Sequence, residues 1–499
     1  MGFPFEHGLH ATLISMGLCD LLEVDTETAS QTYYTSLLTY TGCTTDAAEA
    51  AQVFAGEMTA SFIPFVHGSR KELAKGIVAA LPSPDSTGIN RAREIAQRLP
   101  KAFKGNKPHQ RAMCEVGEML ARRLGLPESI HSVFRFLNER WDGKGDLKRA
   151  RGEGIPLPLR ISLLAHDAAF QRLIGGDEHS VAVIGDRAGG AFDPSIADLF
   201  VHHAAGLFTA ADAGDGAWDR VLQLEPAPLL TLEDDAIDRA LAAMGDFADL
   251  ISPSLSGHSQ GLADLAATAA ELSEFSDDDT KLIRRAAWVH DIGRVAIDAR
   301  IWEKPTSLTP DELEKVRLHP YHTERILIRS DFLGTLASVA SNHHEHLDGS
   351  GYHRGAVASM LTRPARLLAV ADIYHAMTEP RPHREPLPGE TAAMLLQEQV
   401  REGHLDAQMV AAVLEAAGQK TQPIERPKGL TGREIEVVGL LARGLQTKQI
   451  AAALGISSKT ADTHIQNAYR KIGVSTRAAA TLFVMETGLV HSGELPIPD

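Results

Sequence analysis

The chain has 499 residues, 44% hydrophobic and 23% charged, an ordinary globular composition with room for about three domains. Its cysteines, Cys19, Cys43 and Cys114, are too few for a disulfide framework and none has a second cysteine at metal-ligand spacing, so all three read as packing residues. The opening Met1-Gly-Phe-Pro-Phe-Glu-His-Gly lacks signal-peptide features, and no apolar run reaches the ~18 residues of a membrane span, so a cytoplasmic protein is expected. A net charge of −16 argues against nucleic acid for most of the chain; residues 428–490, however, carry +4, leaving −20 on the rest.

In chain order, apolar residues recur at steps of three and four and convincing strands are few, which predicts an all-α protein. Gly185-Asp-Arg-Ala-Gly-Gly190 lacks the spacing of a phosphate cradle; the segment more simply leads into a helix at Phe192-Asp-Pro. Breaks are predicted near Ala210–Trp218, followed by Glu225-Pro-Ala-Pro, and at the polar, proline-containing linker 419–429. Shifting the chain by 251 places His7 on His258, Leu21 on Leu272, Glu23 on Glu274 and Gly42 on Gly293. Shifting it by 206 places Glu139-Arg-Trp-Asp-Gly-Lys-Gly145 on Glu345-His-Leu-Asp-Gly-Ser-Gly351, Pro158 on Pro364 and Arg160 on Arg366. Residues 1–215 thus read as a diverged copy of residues 228–418.

The divergence falls on polar residues. The first copy has Thr39-Tyr40 for His290-Asp291, Met113 for His319, Leu137-Asn138 for His343-His344 and His166 for Asp372; only His7 survives, and it reads as a packing histidine. The first copy is therefore expected to keep the fold without the chemistry, in a dimerising or ligand-sensing role.

In the second copy, His290-Asp291 lie side by side in an apolar helix that stops at Gly293, His343-His344-Glu345 repeat the arrangement in Ala340-Ser-Asn-His-His-Glu345, and Asp372 lies inside the apolar run Leu367-Leu-Ala-Val-Ala-Asp-Ile-Tyr. A buried carboxylate is costly unless paired or metal-bound, and three such places in one helical region favour a shared cation site. Imidazole and carboxylate without thiolate suit Fe, Mn, Ni or Zn. Asp291 is well placed to bridge two such ions, an arrangement suited to hydrolysing a phosphoester.

His290-Asp-Ile-Gly-Arg294, His319-Pro, His343-His-Glu with Asp348-Gly-Ser-Gly-Tyr352, Ala371-Asp-Ile-Tyr and Arg381-Pro-His-Arg384 resemble the HD-GYP phosphodiesterases of the HD superfamily. The resemblance implies hydrolysis of a cyclic dinucleotide such as cyclic di-GMP at a di-iron or di-manganese centre. It implies the ligands His258, His290, Asp291, His319, His343, His344 and Asp372, catalytic roles for Asp291 and Arg294, and substrate contacts from Tyr352, Arg381 and Arg384. Four positions depart from the family: Arg294 for its lysine, His353 for the proline of Gly-Tyr-Pro, His375 for a second aspartate three residues after Asp372, and His383 for a tyrosine. Ser254 stands where some members have a glutamate for a third metal, so two metals are expected.

In the tail, Thr431 and Glu434 form a capping-box pattern, Gly444 ends a first helix, Thr447–Leu454 form a second, Gly455 turns, and Ser457–Ile472 form a third. On the third, Ser458, Lys459, Thr460, His464, Gln466 and Asn467 are predicted outward and Ile465, Ala468 and Ile472 inward; Asp462 sits awkwardly for a phosphate-facing helix. Residues 430–490 resemble the LuxR/FixJ-type DNA-binding domain. The resemblance implies double-stranded DNA as partner, with Thr447, Lys448, Lys459 and Lys471 at phosphates and Thr460, His464 and Gln466 near bases. A homodimer on paired half-sites follows from the same resemblance. The whole reads as a DNA-binding regulator carrying a phosphohydrolase; the alternative is a transcription factor whose HD-type domain senses metal or nucleotide without turnover.

Overall fold

A computed structural model describes residues 6–41, 53–54, 62–145, 147–214, 216–382, 384–419, 427–442, 445–477, 479–480 and 483. Cys43, Gly42, His383, Gly444 and most of the 419–429 linker lie outside the described residues. The protein is all-α, as expected: among the described residues β pairing is confined to isolated bridges. No described helix is long and apolar enough to cross a membrane. Cys19 and Cys114 are buried, in packing positions.

The chain divides into two compact units, residues 1–243 with 250–253 and 298–303, and residues 244–249, 254–297 and 304–499. The helices of seven or more residues in the first are α1 (His7–Leu21), α2 (Thr26–Leu38), α3 (Arg70–Ala80), α4 (Gly88–Arg123), α5 (Leu157–Arg187), α6 (Pro194–Asp212) and α7 (Ala217–Gln223). Asp193 caps α6 by accepting the Ser195 amide at 2.9 Å, so the helix expected at Phe192-Asp-Pro begins there. Helices α1, α2, α5 and α6 enclose a core that includes Ile14, Leu18, Leu159, Leu164, Phe200 and Phe208.

Helix α8 (Asp234–Asp249) has residues in both units. The second unit continues with α9 (His258–Leu272), α10 (Asp277–Val289), α11 (Pro310–Arg317), α12 (His319–Leu327), α13 (Asp331–Ala340), α14 (Arg363–Thr378), α15 (Gly389–Arg401) and α16 (Ala407–Ala416). Helix α9 is central because it is lined with alanine: Ala263, Ala266, Ala267, Ala269 and Ala270 are all fully buried, and their small side chains admit α10, α14 and α16 at close range. The tail adds α17 (Gly432–Ala442), α18 (Thr447–Ala453) and α19 (Ser458–Ile472) around Val437, Val438, Ile450, Ala461, Ile465 and Ala468.

Candidate metal centre and DNA-reading helix

The ligand-type residues sit where helices begin or end. His290 caps the end of α10, and Asp291 follows with non-helical backbone before the short turn Ile292–Ala296. His258 and His319 are the first residues of α9 and α12, and His343-His344 follow the end of α13. Only Asp372 lies inside a helix, α14. The expectation of a His-Asp pair within a helix is corrected accordingly: the turn frees both side chains to point the same way, which adjacent residues on a helix cannot do.

Small residues bring these ends together. A Cβ at Gly293 would lie 2.1 Å from the His319 carbonyl oxygen and 2.4 Å from the Thr323 amide. Glycine there lets the start of α12 rest directly on the turn after Asp291. Thr323 clamps the contact: its hydroxyl donates to the His290 carbonyl (2.7 Å) and accepts from the Gly293 amide (3.0 Å). Asp249 ties down the start of α9 by accepting from the Ser259 amide and hydroxyl, each at 2.9 Å. Glu345, buried, accepts the amides of Arg354 (3.1 Å) and Ala356 (2.9 Å) and so shapes the loop that carries Tyr352.

All seven predicted residues converge on one buried volume. His258 Nε2 lies 3.6 Å and His290 Nε2 2.8 Å from Asp291 Oδ2. His319 Nε2 and His343 Nε2 lie 3.1 Å and 3.5 Å from the other oxygen, Oδ1. Asp372 faces the first pair through Oδ1 (3.4 Å to His258, 3.7 Å to His290) and His344 Nδ1 through Oδ2 (3.6 Å). Donor atoms group within metal-ligating reach as His258–His290–Asp372, His290–Asp291–His343 and His319–His343–His344.

The hydrogen bonding leaves the inward atoms for a cation. His290, His319 and His343 each place Nδ1 within 2.6–2.7 Å of the carbonyl oxygen three residues earlier, on Ala287, Val316 and Ala340. In the neutral ring that contact puts the proton on Nδ1 and turns Nε2 toward the cluster, the orientation a metal-bound histidine has; His319 Nε2 and His343 Nε2 lie 3.0 Å apart there. The Nε2 atoms of His258 and His290, Asp291 Oδ1 and both carboxylate oxygens of Asp372 are buried without a hydrogen-bond partner. Such a concentration of unsatisfied polar atoms is what a bound cation would satisfy, and the donor set fits one.

Electrostatics agree. Burial disfavours a charge on His258, but Asp291, Asp372 and Glu379 outweigh it and raise its pKa to about 10; His290 is raised to about 9 against the same burial, chiefly by Asp291 and Asp372. For His319 burial wins and the pKa falls to about 4. The imidazoles thus absorb the negative charge of two buried aspartates, and metal binding there would expel those protons.

The remaining predicted residues divide. Tyr352 packs against His344 with ring centroids 4.3 Å apart and planes tilted by 34°, at the rim of the cluster. Arg381 lies 3.1 Å from Glu379. Arg294, buried, pairs with Asp291 Oδ2. The Arg384 guanidinium donates to the carbonyls of Ala376 and Met377 at the end of α14, where a basic side chain caps free carbonyls. Glu379 was missed by the sequence reading, although it lies seven residues, about two turns, after Asp372.

In the tail, Thr431 and Glu434 form the expected capping box, with bonds of 2.7 and 3.2 Å. On α19 Ser458, Lys459, Thr460 and Gln466 are exposed, His464 and Asn467 are half-buried, and Ile465, Ala468 and Ile472 face the core. On α18 Lys448 is exposed and Thr447 half-buried. Lys471 is less free than expected, because its ammonium lies 2.5 Å from the buried Glu434 carboxylate.

Residues 243–409 match the family model described as HD domain, and residues 428–484 that of bacterial regulatory proteins of the luxR family. The chain carries an HD domain followed by a LuxR-type helix-turn-helix domain. The HD domain is that of a metal-dependent phosphohydrolase. Among curated relatives, 3'3'-cGAMP-specific phosphodiesterase 3 of Vibrio cholerae is 29% identical over 433 residues, 83% of this chain and 91% of that protein. The cyclic di-GMP phosphodiesterase response regulator RpfG of Xanthomonas campestris is 34% identical over 163 residues, 32% of this chain and 43% of its own length. A crystal structure of a cyclic GMP-AMP specific phosphodiesterase of V. cholerae (V-cGAP3) matches with a TM-score of 0.56 and 25% identity, covering 84% of this chain and 94% of that one.

Proposed function

We propose that the HD domain hydrolyses a cyclic dinucleotide and that the LuxR-type domain couples this event to double-stranded DNA. The observation that carries the reading is Asp291, whose two carboxylate oxygens face two different sets of imidazoles. On this reading His258, His290, Asp291 and Asp372 hold one divalent cation, and Asp291, His319, His343 and His344 hold a second. Iron or manganese suits this nitrogen and oxygen set, with nickel or zinc as other occupants. Bound there, such ions would activate water as the nucleophile and offset charge developing on the phosphoryl oxygens. The protein's own groups orient the substrate: the Tyr352 ring offers a flat wall to a base, and Arg381 a guanidinium to a phosphate. Arg294 holds the Asp291 carboxylate from the side and keeps a cation next to the reacting phosphorus.

Similarity to the V. cholerae 3'3'-cGAMP phosphodiesterase covers 83% of this chain, more than the HD and LuxR-type domains together, whereas the cyclic di-GMP relative RpfG matches 32% of it. Both dinucleotides therefore belong in one assay. Full-length protein reloaded with Mn2+ or Fe2+ is expected to open either ring to a linear product. Full metal occupancy without turnover would select the second reading, a sensor; the Arg294–Asp291 ion pair favours that alternative.

Residues 430–490 are read as the DNA-binding domain, with Lys448 and Lys459 on phosphates and Thr460, His464 and Gln466 near base edges. Lys459→Ala is expected to lower the slope of log affinity against log salt by about 1. Lys471→Ala should change that slope less, since Glu434 already holds its ammonium. An unchanged affinity after deletion of residues 430–499 would end the regulator reading. Residues 1–215 are proposed to be a non-catalytic copy used for dimerisation or ligand sensing, and the protein a homodimer on half-sites roughly 34–36 Å apart; a monomer on DNA at saturating protein would contradict this.

A further inference from the structure

Three of the four buried ligand histidines are oriented by the carbonyl three residues back. His258 lacks this option. It is the first residue of α9, and the short 3-10 turn Pro253–Leu255 ahead of it is broken off by Gly257 in the left-handed region (φ 82°), which interrupts the helical path to its Nδ1. Its Nδ1 instead lies 2.8 Å from Glu379 Oε2. Glu379 caps the end of α14, the helix that carries Asp372. Its carboxylate is itself held on both oxygens, with Arg381 Nη2 3.1 Å from Oε2 and His375 Nδ1 3.2 Å from Oε1.

His375 is the position where the resembling family has an aspartate. Its Nδ1 lies 3.3 Å from His258 Nδ1. An aspartate Oδ1 and a histidine Nδ1 stand at the same number of bonds from the backbone, so an aspartate at 375 would put an oxygen at hydrogen-bonding range of His258. The larger imidazole needs space, and α9 provides it: a Cβ at Gly261 would lie 2.4 Å from His375 Nε2. A glycine inside a helix costs about 1 kcal/mol relative to alanine, so this one calls for a packing reason, and His375 is that reason.

We propose that Glu379 is the positioning residue of His258: the carboxylate that orients this imidazole has moved one helical turn along α14, from position 375 to 379, with Gly261 and His375 as the accommodating pair. This rests on the metal-centre reading above. Carboxylate–histidine–metal pairs of this kind fix the ring and raise its basicity, and their loss weakens metal binding about 10–100-fold.

The test is Mn2+ titration of full-length, metal-stripped protein, with bound metal counted by elemental analysis. Wild-type protein should take up two equivalents. Glu379→Gln should weaken one of them about 10–100-fold and leave the other tight. His375→Asp placed in the Glu379→Gln background should recover the weakened equivalent, and the metal-free proteins should melt alike. Equal affinity for both ions in Glu379→Gln would overturn the proposal. So would a lower metal-free melting temperature with no recovery from His375→Asp, which would mark Glu379 as a structural residue, and so would loss of a third equivalent, which would make His258, His375 and Glu379 a cation site of their own. Wild-type protein that takes up no manganese would instead overturn the metal centre itself.

Discussion

Residues 1–215 and 228–418 use the same local devices around different centres. After α1 and after α9 the chain turns through a glutamate in the left-handed region, Glu23 at φ 49° and Glu274 at φ 56°. The next residue closes each turn with a 3.2 Å bond, Val24 to Cys19 and Phe275 to Ala270. Asp25 and Ser276 then cap the following helices. Glu139 and Glu345 each accept a backbone amide from the loop they organise. Arg160–Asp193 and Arg366–Asp406 join the start of one helix to the cap of another. At the centre the likeness ends. His7 is packed among the rings of Tyr40, His166 and Phe170. Burial pushes its pKa down to about 4, with His10 adding to the drop and Asp167 opposing it; His258, at the corresponding place, is pushed up to about 10 by its carboxylates. A fold can thus be carried by turns and caps while a few polar residues decide whether a charge is stored at its centre.

The most severe way to break this comparison is Asp291→Asn, which removes charge from both sets of imidazoles at once. Metal content should fall to near zero and turnover by at least about a thousandfold. Retained metal with near-normal turnover would mean that Asp291 lies outside the working metal centre.

That set was legible in the sequence because His290, Asp291 and Asp372 stand in apolar surroundings where an unpaired charge is too costly to be accidental. The proposed repeat rests on glycines and helix starts that residues 1–215 and 228–418 share in sequence. Glu379 was not, since a glutamate just past a helix end usually faces water, and only the fold reveals that α14 aims it at His258. The two helix-end carbonyls that Arg384 meets were equally illegible, since its motif points only to a phosphate. The interruption of helical geometry at Gly176 within α5 (φ 82°) likewise went unread, because a lone glycine in a helical pattern does not announce a kink.

The next largest effect is in acid. His7 and His166 are held neutral by burial, with pKa values lowered to about 4 and about 3. The unfolded chain therefore binds more protons than the folded one below pH ~6.5, and stability must fall as pH drops from there toward 4. For His7 alone the loss amounts to roughly 3 kcal/mol across that range. Hydrogen exchange in α1 and α5, corrected for intrinsic rates, should show protection declining over this window, and His7→Leu should flatten the decline. An unchanged pH dependence in His7→Leu would remove His7 from the account.

A matched pair sharpens the comparison further. Glu139→Gln and Glu345→Gln each weaken the acceptor for buried loop amides, at a cost of about 1–2 kcal/mol in stability. Only Glu345 shapes the loop bearing Tyr352, so only Glu345→Gln should also raise KM for a dinucleotide. Equal catalytic effects from both substitutions would show that the loss travels through stability alone.

The smallest expected effect is the most direct test of equivalence. A glutamate in the left-handed region strains its backbone, because Cβ crowds the carbonyl oxygen, at about 1–2 kcal/mol. Glycine removes that strain but gives the unfolded chain more freedom, so Glu23→Gly and Glu274→Gly should each stabilise by only about 0.5–1 kcal/mol. Neither side chain is among the metal-ligating groups, so metal content and turnover should not change. The sign matters more than the size. If one glycine stabilises and the other destabilises, the glutamate that is missed makes a contact its counterpart lacks, and the two turns are alike in shape but not in energy.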